Sequence, residues 1–534
     1  MNQDLFLLFK RGLFKTLLFC LTLCGFGSAA QANNIQVSNV SLTGRDVSAG
    51  TNNASNFIMV KFDLSWENSW RLSTGPANWD AAWVFVKYRL PGGNWNHVWL
   101  NNTGHTAASG STVDVGLLNT GSSFNASSNP GLGAFIYRNA SGRGNVNFSN
   151  IQFRWNYGAQ GLVDVSAVDV EVFAVEMVYV PQGSFYVGDG STADIHGNFR
   201  DAATNVPFQI SSEAAITLGG TTAGNLGNNN TTGMEPTGLD DFNDTTTKSL
   251  PAAFPKGFNA FYCMKYELSQ RQWVEFFNNL TDAQKSVRDI AATAAQRFRN
   301  NISWTSGDAI LIGGTNGDVA CNYLAVQDLM AYMDWSGLRP MSEMEFEKAG
   351  RGPQYPVVDG FPWGMYNSGN PITVAAITNS GASNEAPTTA HAVVVGNNAY
   401  NIGPIRVGAL ATSSTSASNT GASWYGIQDL AGNVSEVVVS TGVSVGRNLT
   451  RDVHGDGVLA SAGSADISTW PGYNSTFGIN SGNTGTGIKG GAFAFTFTSV
   501  AGGNRFRLSN RFNSSTGQAG RSNTRGVRGV RSAP

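Results

Sequence analysis

The sequence predicts an all-β N-terminal sandwich followed by a larger α+β domain with little regular structure. Residues 33–175 repeat β-branched and aromatic runs between Gly/Pro turn clusters, a pattern typical of an antiparallel sandwich. Clear helical patterns occur only between residues 269 and 349. Beyond Gly350 the chain is rich in Gly, Asn and Ser and carries only short apolar runs. At 534 residues it is also longer than one ordinary domain.

The first 32 residues have the order of a secretory signal peptide. The apolar run Thr16–Cys24 follows three basic residues, Lys10, Arg11 and Lys15. An Ala-Gln-Ala cleavage sequence then ends at Ala32. We expect cleavage after Ala32. No later stretch approaches the roughly eighteen uninterrupted apolar residues of a membrane span. The expectation is a secreted, periplasmic or cell-surface protein without a transmembrane segment.

The composition argues against a partner held by charge. Charged residues make up 13% of the chain and the formal net charge is −2, while glycine reaches 64 residues. Polarity therefore comes mainly from amides and hydroxyls. A basic surface of the kind that binds nucleic acid is absent from this composition. The expected partner is a protein or a glycan at the cell exterior.

The two domains are predicted at residues 33–175 and 176–534. The sandwich contains strand patterns such as Phe57–Trp66 and Ala82–Tyr88. The second domain opens with a strand, a Pro/Gly turn and another strand over Met177–Gly188. Residues 191–248 are rich in Asn, Thr and Gly and are interpreted as a long loop or insertion.

Three helices are predicted in the second domain. Ser269–Phe277 has a serine cap and an apolar stripe, and Val326–Trp335 repeats that spacing. In Met341–Ala349, Ser342 stands three residues before Glu345, which is the spacing of a capping box.

Removal of the signal peptide leaves two cysteines, Cys263 and Cys321. In an oxidising compartment we expect one disulfide between them. A pair of buried free thiols is the alternative, and the sequence leaves it open.

The stretch Tyr425–Glu436 places Asp429 and Glu436 on either side of Gly432. The two carboxylates supply hard oxygen ligands, and the glycine permits a turn in which main-chain carbonyls point inward, as Ca²⁺ requires. An ordinary polar turn between two strands is the alternative interpretation.

Several segments in a fixed order resemble the formylglycine-generating (sulfatase-modifying factor) family over residues 176–534. They are Met177–Gly188, Lys265–Ser269, Gly337–Ala349, Phe361–Gly364, Tyr425–Glu436, Lys489–Gly491 and Gly526–Arg528. The resemblance implies a C-type-lectin-like fold for the second domain.

The resemblance also implies structural calcium. By similarity, Asp429 and Glu436 would give side-chain oxygens to one ion, while Gly432 and Val434 would give main-chain carbonyls. A second calcium of the family would fall near Asn379.

The catalytic pair of the family is missing. Formylglycine-generating enzymes use two cysteines five residues apart, just after the Lys-Gly-Gly segment, to bind copper and activate oxygen. The matching positions here are Phe495 and Val500, which are not thiolate ligands for Cu(I). Copper is therefore not expected. Some relatives are iron-dependent sulfoxide synthases with histidine ligands, but the five histidines here are scattered and are interpreted as surface residues.

The C-terminal run alternates aromatic, amide and arginine residues, which are favoured at recognition surfaces. The candidate binding surface comprises Phe495, Phe497, Asn504, Phe512 and Asn513. Arg507 and Arg528 are interpreted as structural, each paired with a buried carboxylate.

The sequence thus favours an exported, non-catalytic binding or structural protein built on a calcium-stabilised domain. Two alternatives stay open. One is a protein-modifying enzyme of the same family with a different metal site, and the other is a building block of an extracellular matrix or filament.

Overall fold

The computed structural model describes residues 34–190, 195–229, 231, 234–235, 239–291, 298–312, 317–364, 372–373, 377–382, 384–387, 394–395, 403–411, 420–476, 478–479, 485–495, 505–517 and 520–534. The predicted signal peptide and its cleavage site at Ala32 lie outside these residues. The protein is rich in β-structure, with 35% of residues in strands and 11% in helices. Among the described residues, no helix combines the length and the apolar character needed to cross a membrane.

The N-terminal part consists of two sheets. Its strands are β1 (Gln36–Asp46), β2 (Phe57–Arg71), β3 (Asp80–Arg89), β4 (Asn96–His97), β5 (Ser111–Leu117), β6 (Gly131–Arg138), β7 (Gly142–Trp155) and β8 (Asp169–Val180). β1, β2 and β7 form an antiparallel sheet, and β8, β3, β6 and β5 are neighbours in the other. Apolar residues alternate along β2, so that Val60, Phe62, Leu64 and Trp66 are buried against the second sheet.

Residues 185–250 carry short strands. These are β9 (Phe185–Val187), β10 (Phe199–Asp201), β11 (Phe208–Ile210), β12 (Ile216–Leu218), β13 (Leu226–Asn228) and β14 (Lys248–Leu250). β10, β13, β12 and β14 form a small sheet. The segment predicted as a long loop or insertion is therefore partly regular, because Phe199, Leu218 and Leu226 are buried in the main core.

The remaining regular elements are short. The helices are α1 (Gln270–Asn278), α2 (Asp282–Arg288), α3 (Val326–Trp335) and α4 (Glu343–Arg351). The strands are β15 (Phe261–Met264), β16 (Ile302–Ser303), β17 (Ile310–Leu311), β18 (Arg339–Pro340), β19 (Ile372–Thr373), β20 (Ile377–Thr378), β21 (Ala386–Pro387), β22 (Val394–Val395), β23 (Glu436–Val439), β24 (Tyr473–Asn474), β25 (Gly478–Ile479), β26 (Thr486–Lys489) and β27 (Gly529–Ser532). Two 3₁₀ turns lie at Tyr157–Gln160 and Gly446–Asn448.

All three predicted helices are confirmed, as α1, α3 and α4. The capping box at the start of α4 is confirmed as well, because Glu345 N donates to Ser342 Oγ at 3.1 Å and Ser342 N donates to Glu345 Oε2 at 3.0 Å. Helix α2 was not predicted. It is short and begins with its own capping box at Thr281.

One sheet continues from the N-terminal part into the second domain. β8 pairs with β3 from Asp169 to Val178, and its last four residues also pair with β15. The strand order is β18, β27, β15, β8, β3, β6 and β5. The predicted division at residue 175 thus falls inside a strand. The buried Lys265 ties the two parts further, because its ammonium donates to Asp80 and Glu176 at 3.0 and 2.9 Å.

The predicted disulfide is not formed, which corrects that expectation. Cys263 and Cys321 are both free and buried. Cys263 packs in a core with Val178 and Phe261, whereas Cys321 belongs to a different core that contains Leu324 and Leu329. Each thiol thus fills apolar space in a separate core, as buried cysteines often do.

Candidate functional site

The site is built on the loop from Tyr425 to Glu436. Tyr425, Ile427 and Leu430 are buried and anchor the loop in the core beside β15. Gly432 has a φ of +89°, which favours glycine, and Asp429 and Asn433 also have positive φ. The loop ends in β23, where Glu436 pairs with Lys489 of β26.

Three buried carboxylates lie in or beside this loop. Glu267 accepts hydrogen bonds from Asn433 Nδ2 at 2.6 Å and from Val434 N at 3.0 Å. Asp429 Oδ2 accepts from Gly408 N at 2.6 Å. Glu436 Oε1 accepts from Arg528 Nε at 3.2 Å. Asp429 and Glu436 thus belong to the loop itself, and Glu267 holds it from a second segment, Lys265–Ser269.

Burial raises the pKa of all three carboxyl groups. It raises the pKa of Glu436 to about 8, although Arg528 opposes the shift. Burial, and then the charges of Asp429 and Glu436, raise the pKa of Glu267 well above its ordinary value. The pKa of Asp429 is also raised by burial. A cation at this place would favour the charged forms of all three groups.

The residues fit a hard cation such as Ca²⁺ in two respects. Glu436 Oε2 is a buried acceptor that has no hydrogen-bond partner among the described residues. A Cβ atom at Gly490 would lie 2.3 Å from this oxygen and 2.8 Å from the carbonyl oxygen of Leu430, so both oxygens face the same glycine. Carboxylate and carbonyl oxygens are the ligands that Ca²⁺ prefers.

Of the other residues predicted for the site, Gly432 and Val434 belong to this loop, whereas Asn379 does not. Gly432 N donates to Gly490 O at 2.8 Å, which joins the loop to the Lys-Gly-Gly segment. Val434 is buried, and its backbone N–H donates to Glu267 Oε1. Asn379 has a φ of +52° and lies in a separate turn, where its carbonyl accepts from Ala382 N at 2.9 Å.

A second carboxylate group was missed by sequence reasoning. Ligand oxygens of Asp334, Asp456 and Asp466 lie within 4.8 Å of one another, and no other such group of three His, Cys, Asp or Glu residues occurs in the described part. Asp334 Oδ1 accepts from Asp456 N at 2.9 Å and Asp334 Oδ2 from Asp466 N at 3.2 Å. Asp334 lies more than 120 positions before the other two, so no local motif contains all three.

Phe495, which the resemblance matches to the first family cysteine, belongs to an aromatic stack. The guanidinium of Arg505 lies 4.7 Å from the ring centres of both Phe495 and Phe512. Ser435, Lys489 and Asn513 line a small cavity of about 10 Å³ beside the stack, which is the size of one water position.

Two members of the predicted binding surface therefore come together, Phe495 and Phe512. Asn513 is buried rather than on an outer face, because its carbonyl accepts from Ile488 N at 3.1 Å next to β26. Phe497 and Asn504 lie outside the described residues, as does Val500 at the second cysteine position.

The pairing with a buried carboxylate is confirmed for Arg528, whose partner is Glu436. Arg507 is also paired, with Nη1 2.7 Å from Asp359 Oδ1, but the side chain of Asp359 is 40% exposed and not buried as expected. The interpretation of the histidines as surface residues is wrong for His97 and His454. Both are buried, and burial lowers the pKa of each well below its ordinary value.

Glu267 and Asn433 were also missed as parts of the site. Both lie inside segments that carry the family resemblance, so the segments were found but not the bond between them. The available signal was the acidic residue in Lys265–Ser269, the only one in that segment.

Fold and site together define a β-rich protein whose second part is a loop-rich domain crossed by buried carboxylate–arginine and carboxylate–amide bonds. Residues 167–533 match the model of a family described as the sulfatase-modifying factor enzyme 1-like domain. The chain therefore belongs to this family. A comparison with curated proteins finds no match.

Proposed function

We propose that the protein is an exported, non-catalytic binding or structural protein, in which the sulfatase-modifying-factor domain serves as a scaffold. The observation that carries the proposal is the stack of Phe495, Arg505 and Phe512 at the place where the family has its first copper cysteine. A phenylalanine ring cannot replace a thiolate as a ligand for Cu(I).

The remaining thiols do not supply a substitute. Cysteine chemistry requires an accessible thiol that ionises near neutral pH. Cys263 and Cys321 are buried. Burial raises the pKa of the Cys263 thiol to about 12 and that of Cys321 well above its ordinary value. Both cysteines are therefore better explained as core residues than as reactive ones.

Calcium is proposed as the structural ion of the scaffold. Asp429 and Glu436 with their side chains, and Gly432 and Val434 with their carbonyls, would hold it. The buried oxygen of Glu436 and the three carboxylates gathered around Arg528 support this assignment. A bound Ca²⁺ would neutralise these carboxylates and fix the loop to β23.

The proposed contact surface is centred on the stack of Phe495, Arg505 and Phe512. Its two rings are only partly buried, and the ring of His196 lies 5.5 Å from that of Phe512. Aromatic and arginine side chains of this kind are common at the centres of protein interfaces. The proposed partner is a protein or a glycan at the cell exterior.

The proposal is tested by metal analysis and oxygen uptake. Purified mature protein is loaded with Cu(I), desalted and analysed for copper, and oxygen consumption is followed with a cysteine-containing peptide. We expect neither stoichiometric copper nor peptide-dependent oxygen uptake. Stoichiometric copper together with oxygen uptake would overturn the proposal. The variant F495C/V500C is the matched control, and it is expected to retain more Cu(I) than the natural sequence.

A further inference from the structure

A cleft of about 650 Å³ lies between β1, β8 and α1, and Phe495 is not among its lining residues. Its walls include Gln36 and Val37 of β1, Val170 to Ala174 of β8, and Arg271 and Glu275 of α1. This volume is in the range of ordinary ligand sites.

One wall of the cleft is an open sheet edge. β8 pairs with β3 along Asp169–Val178, but β15 covers its other side only from Met177 to Val180. Just beyond this pairing, Lys265 N donates to Glu176 O at 2.9 Å. Among the described residues, no strand or bridge pairs with that side of β8 before Glu176.

The alternation of a strand fixes which groups face the cleft. In an antiparallel strand, every second residue directs its N–H and C=O to the same neighbour. Since Glu176 faces the side of β15, Ala174, Val172 and Val170 direct their backbone groups to that same side. All three residues line the cleft. The cleft therefore presents a row of backbone donors and acceptors suited to an added strand.

The charges of the cleft are not balanced. Arg89 is paired with Asp169, Arg271 with Asp318, and Lys285 with the cleft residue Asp308. In the described part of the chain, Glu171 and Glu275 are in no salt bridge. They come from facing elements, β8 and α1.

The neighbours of these two carboxylates do not neutralise them. Asn279 Nδ2 donates to Glu171 Oε2 at 2.9 Å, which closes one side of the cleft without adding charge. Lys87 lies opposite Glu171 in the register of β3 and β8, but its ammonium donates to the carbonyls of Trp335 and Gly457, at 2.7 Å each. Arg271 contributes to the field at Glu275, yet its ion pair is with Asp318. A cationic group entering the cleft would thus meet two carboxylates without an ion-pair partner.

We propose that this cleft binds an extended peptide, which adds as a strand to the free edge of β8 and places a lysine or arginine side chain between Glu171 and Glu275. The inference deepens the proposed binding function and rests on it. The backbone edge supplies affinity that is independent of sequence, and the two carboxylates supply the preference for a basic residue.

The test uses the purified mature protein and a fluorescent probe peptide, Thr-Val-Lys-Val-Thr with blocked ends, followed by anisotropy. Two further peptides isolate the two parts of the proposal. One carries N-methyl groups on alternate amides, which prevents strand pairing, and the other has norleucine in place of lysine. We expect each change to weaken binding about tenfold or more. A loss of this size corresponds to one hydrogen bond to a charged group, or to several backbone hydrogen bonds lost together.

Protein variants give the same test from the other side. E275Q and E171Q are expected to weaken the lysine peptide about tenfold and to leave the norleucine peptide unchanged. V172P removes an outward N–H without removing a bond to β3, so it is expected to abolish binding of both peptides. D244N changes an exposed carboxylate outside the cleft and is the matched control. Circular dichroism of each variant checks folding, and E275Q, on the exposed side of α1, keeps the test independent of V172P.

Each outcome decides the proposal. Failure of the probe to bind at millimolar concentration overturns it, and equal binding of the N-methyl peptide overturns strand addition. Self-association that V172P abolishes, without peptide binding, would identify a second copy as the occupant and would also overturn it. Failure of the proposed function is separate, because it is read from copper and oxygen uptake, which the cleft variants are not expected to change.

Discussion

Arg528 and Glu436 form an ion pair in the interior of the second domain, with Nε 3.2 Å from Oε1 and both side chains at most 1% exposed. Arg528 also donates to the carbonyls of Met264 and Gln428, at 2.8 Å each. Each guanidinium nitrogen of Arg528 thus has an acceptor, whereas Glu436 keeps one buried oxygen without a partner among the described residues. A cation bound to that oxygen would give Glu436 its missing partner.

Replacement of Glu436 by glutamine is expected to remove the stabilisation by calcium. Burial raises the pKa of Glu436 to about 8 although Arg528 opposes the shift, so at pH 7 the charged and neutral forms of this carboxyl differ by only about 1.4 kcal/mol, and glutamine resembles the neutral form. In EGTA we expect the free energy of unfolding of E436Q to lie within about 1 kcal/mol of that of the natural protein. With Ca²⁺ at a hundred times its Kd, the natural protein alone is expected to gain about 2.7 kcal/mol.

Urea unfolding with and without Ca²⁺ measures both quantities. D169N, at an exposed ion pair, serves as control and is expected to keep the full calcium effect. An equal calcium shift in E436Q and in the natural protein would contradict the assignment of this carboxylate as a ligand.

Asp466→Asn is expected to stabilise the protein at neutral pH. Burial and the charge of Asp456 raise the pKa of Asp466 to about 6 from 3.8, so the folded chain holds this proton more tightly than the unfolded chain. Its contribution to stability is therefore present at low pH and is lost as the pH rises from about 4 through 6. Asparagine carries no charge and keeps the backbone N–H that donates to Asp334 Oδ2.

Because Asp466 is partly exposed, solvent screening limits the gain to about 0.5–1 kcal/mol at pH 7. The difference from the natural protein is expected to vanish at pH 4. Urea unfolding in EDTA at the two pH values gives the comparison, and a less stable D466N at pH 7 would show that the three carboxylates do not repel one another.

Arg505→Ala is expected to destabilise the protein by about 1–2 kcal/mol, because the guanidinium packs against two aromatic rings. The control is Arg143→Ala, an exposed arginine whose loss is expected to cost no more than about 0.5 kcal/mol. Chemical unfolding measures both variants. Equal stability of the two would mean that the stack contributes nothing to the fold.

Both thiols are expected to be unreactive in the folded protein and reactive after unfolding without reductant. They are free and buried, and a buried thiol is neither accessible nor ionised. Titration with a thiol reagent, in buffer and in guanidinium, counts the reactive groups. If the thiols react only after a reductant is added, the predicted disulfide between Cys263 and Cys321 is correct after all.

Local signals in the sequence were sufficient for the local elements. The serine at position 342 and the glutamate at 345 define the start of α4, because a capping box is a contact between neighbours in the chain. The loop around Gly432 was identified for the same reason, since its turn is encoded by residues that tolerate positive φ.

Contacts between distant residues were not accessible in this way. The bond from Asn433 to Glu267 spans 166 positions, and the meeting of Asp334 with Asp456 spans 122. The two cysteines show the same limit, because their number suggested a bridge while their positions in separate cores decide against it. Equally, the division near residue 175 followed the hairpin pattern that opens at Met177, but the strand Asp169–Val180 crosses it.

The order of strands in the main sheet also has a consequence during protein synthesis. The strand Gly529–Ser532 is inserted between Phe261–Met264 and Arg339–Pro340, which leave the ribosome much earlier. Until it is made, both of its neighbours expose an unpaired edge in the middle of the sheet, and such edges promote association of incomplete chains. A nascent chain of this protein would therefore need protection until Gly529–Ser532 has been translated.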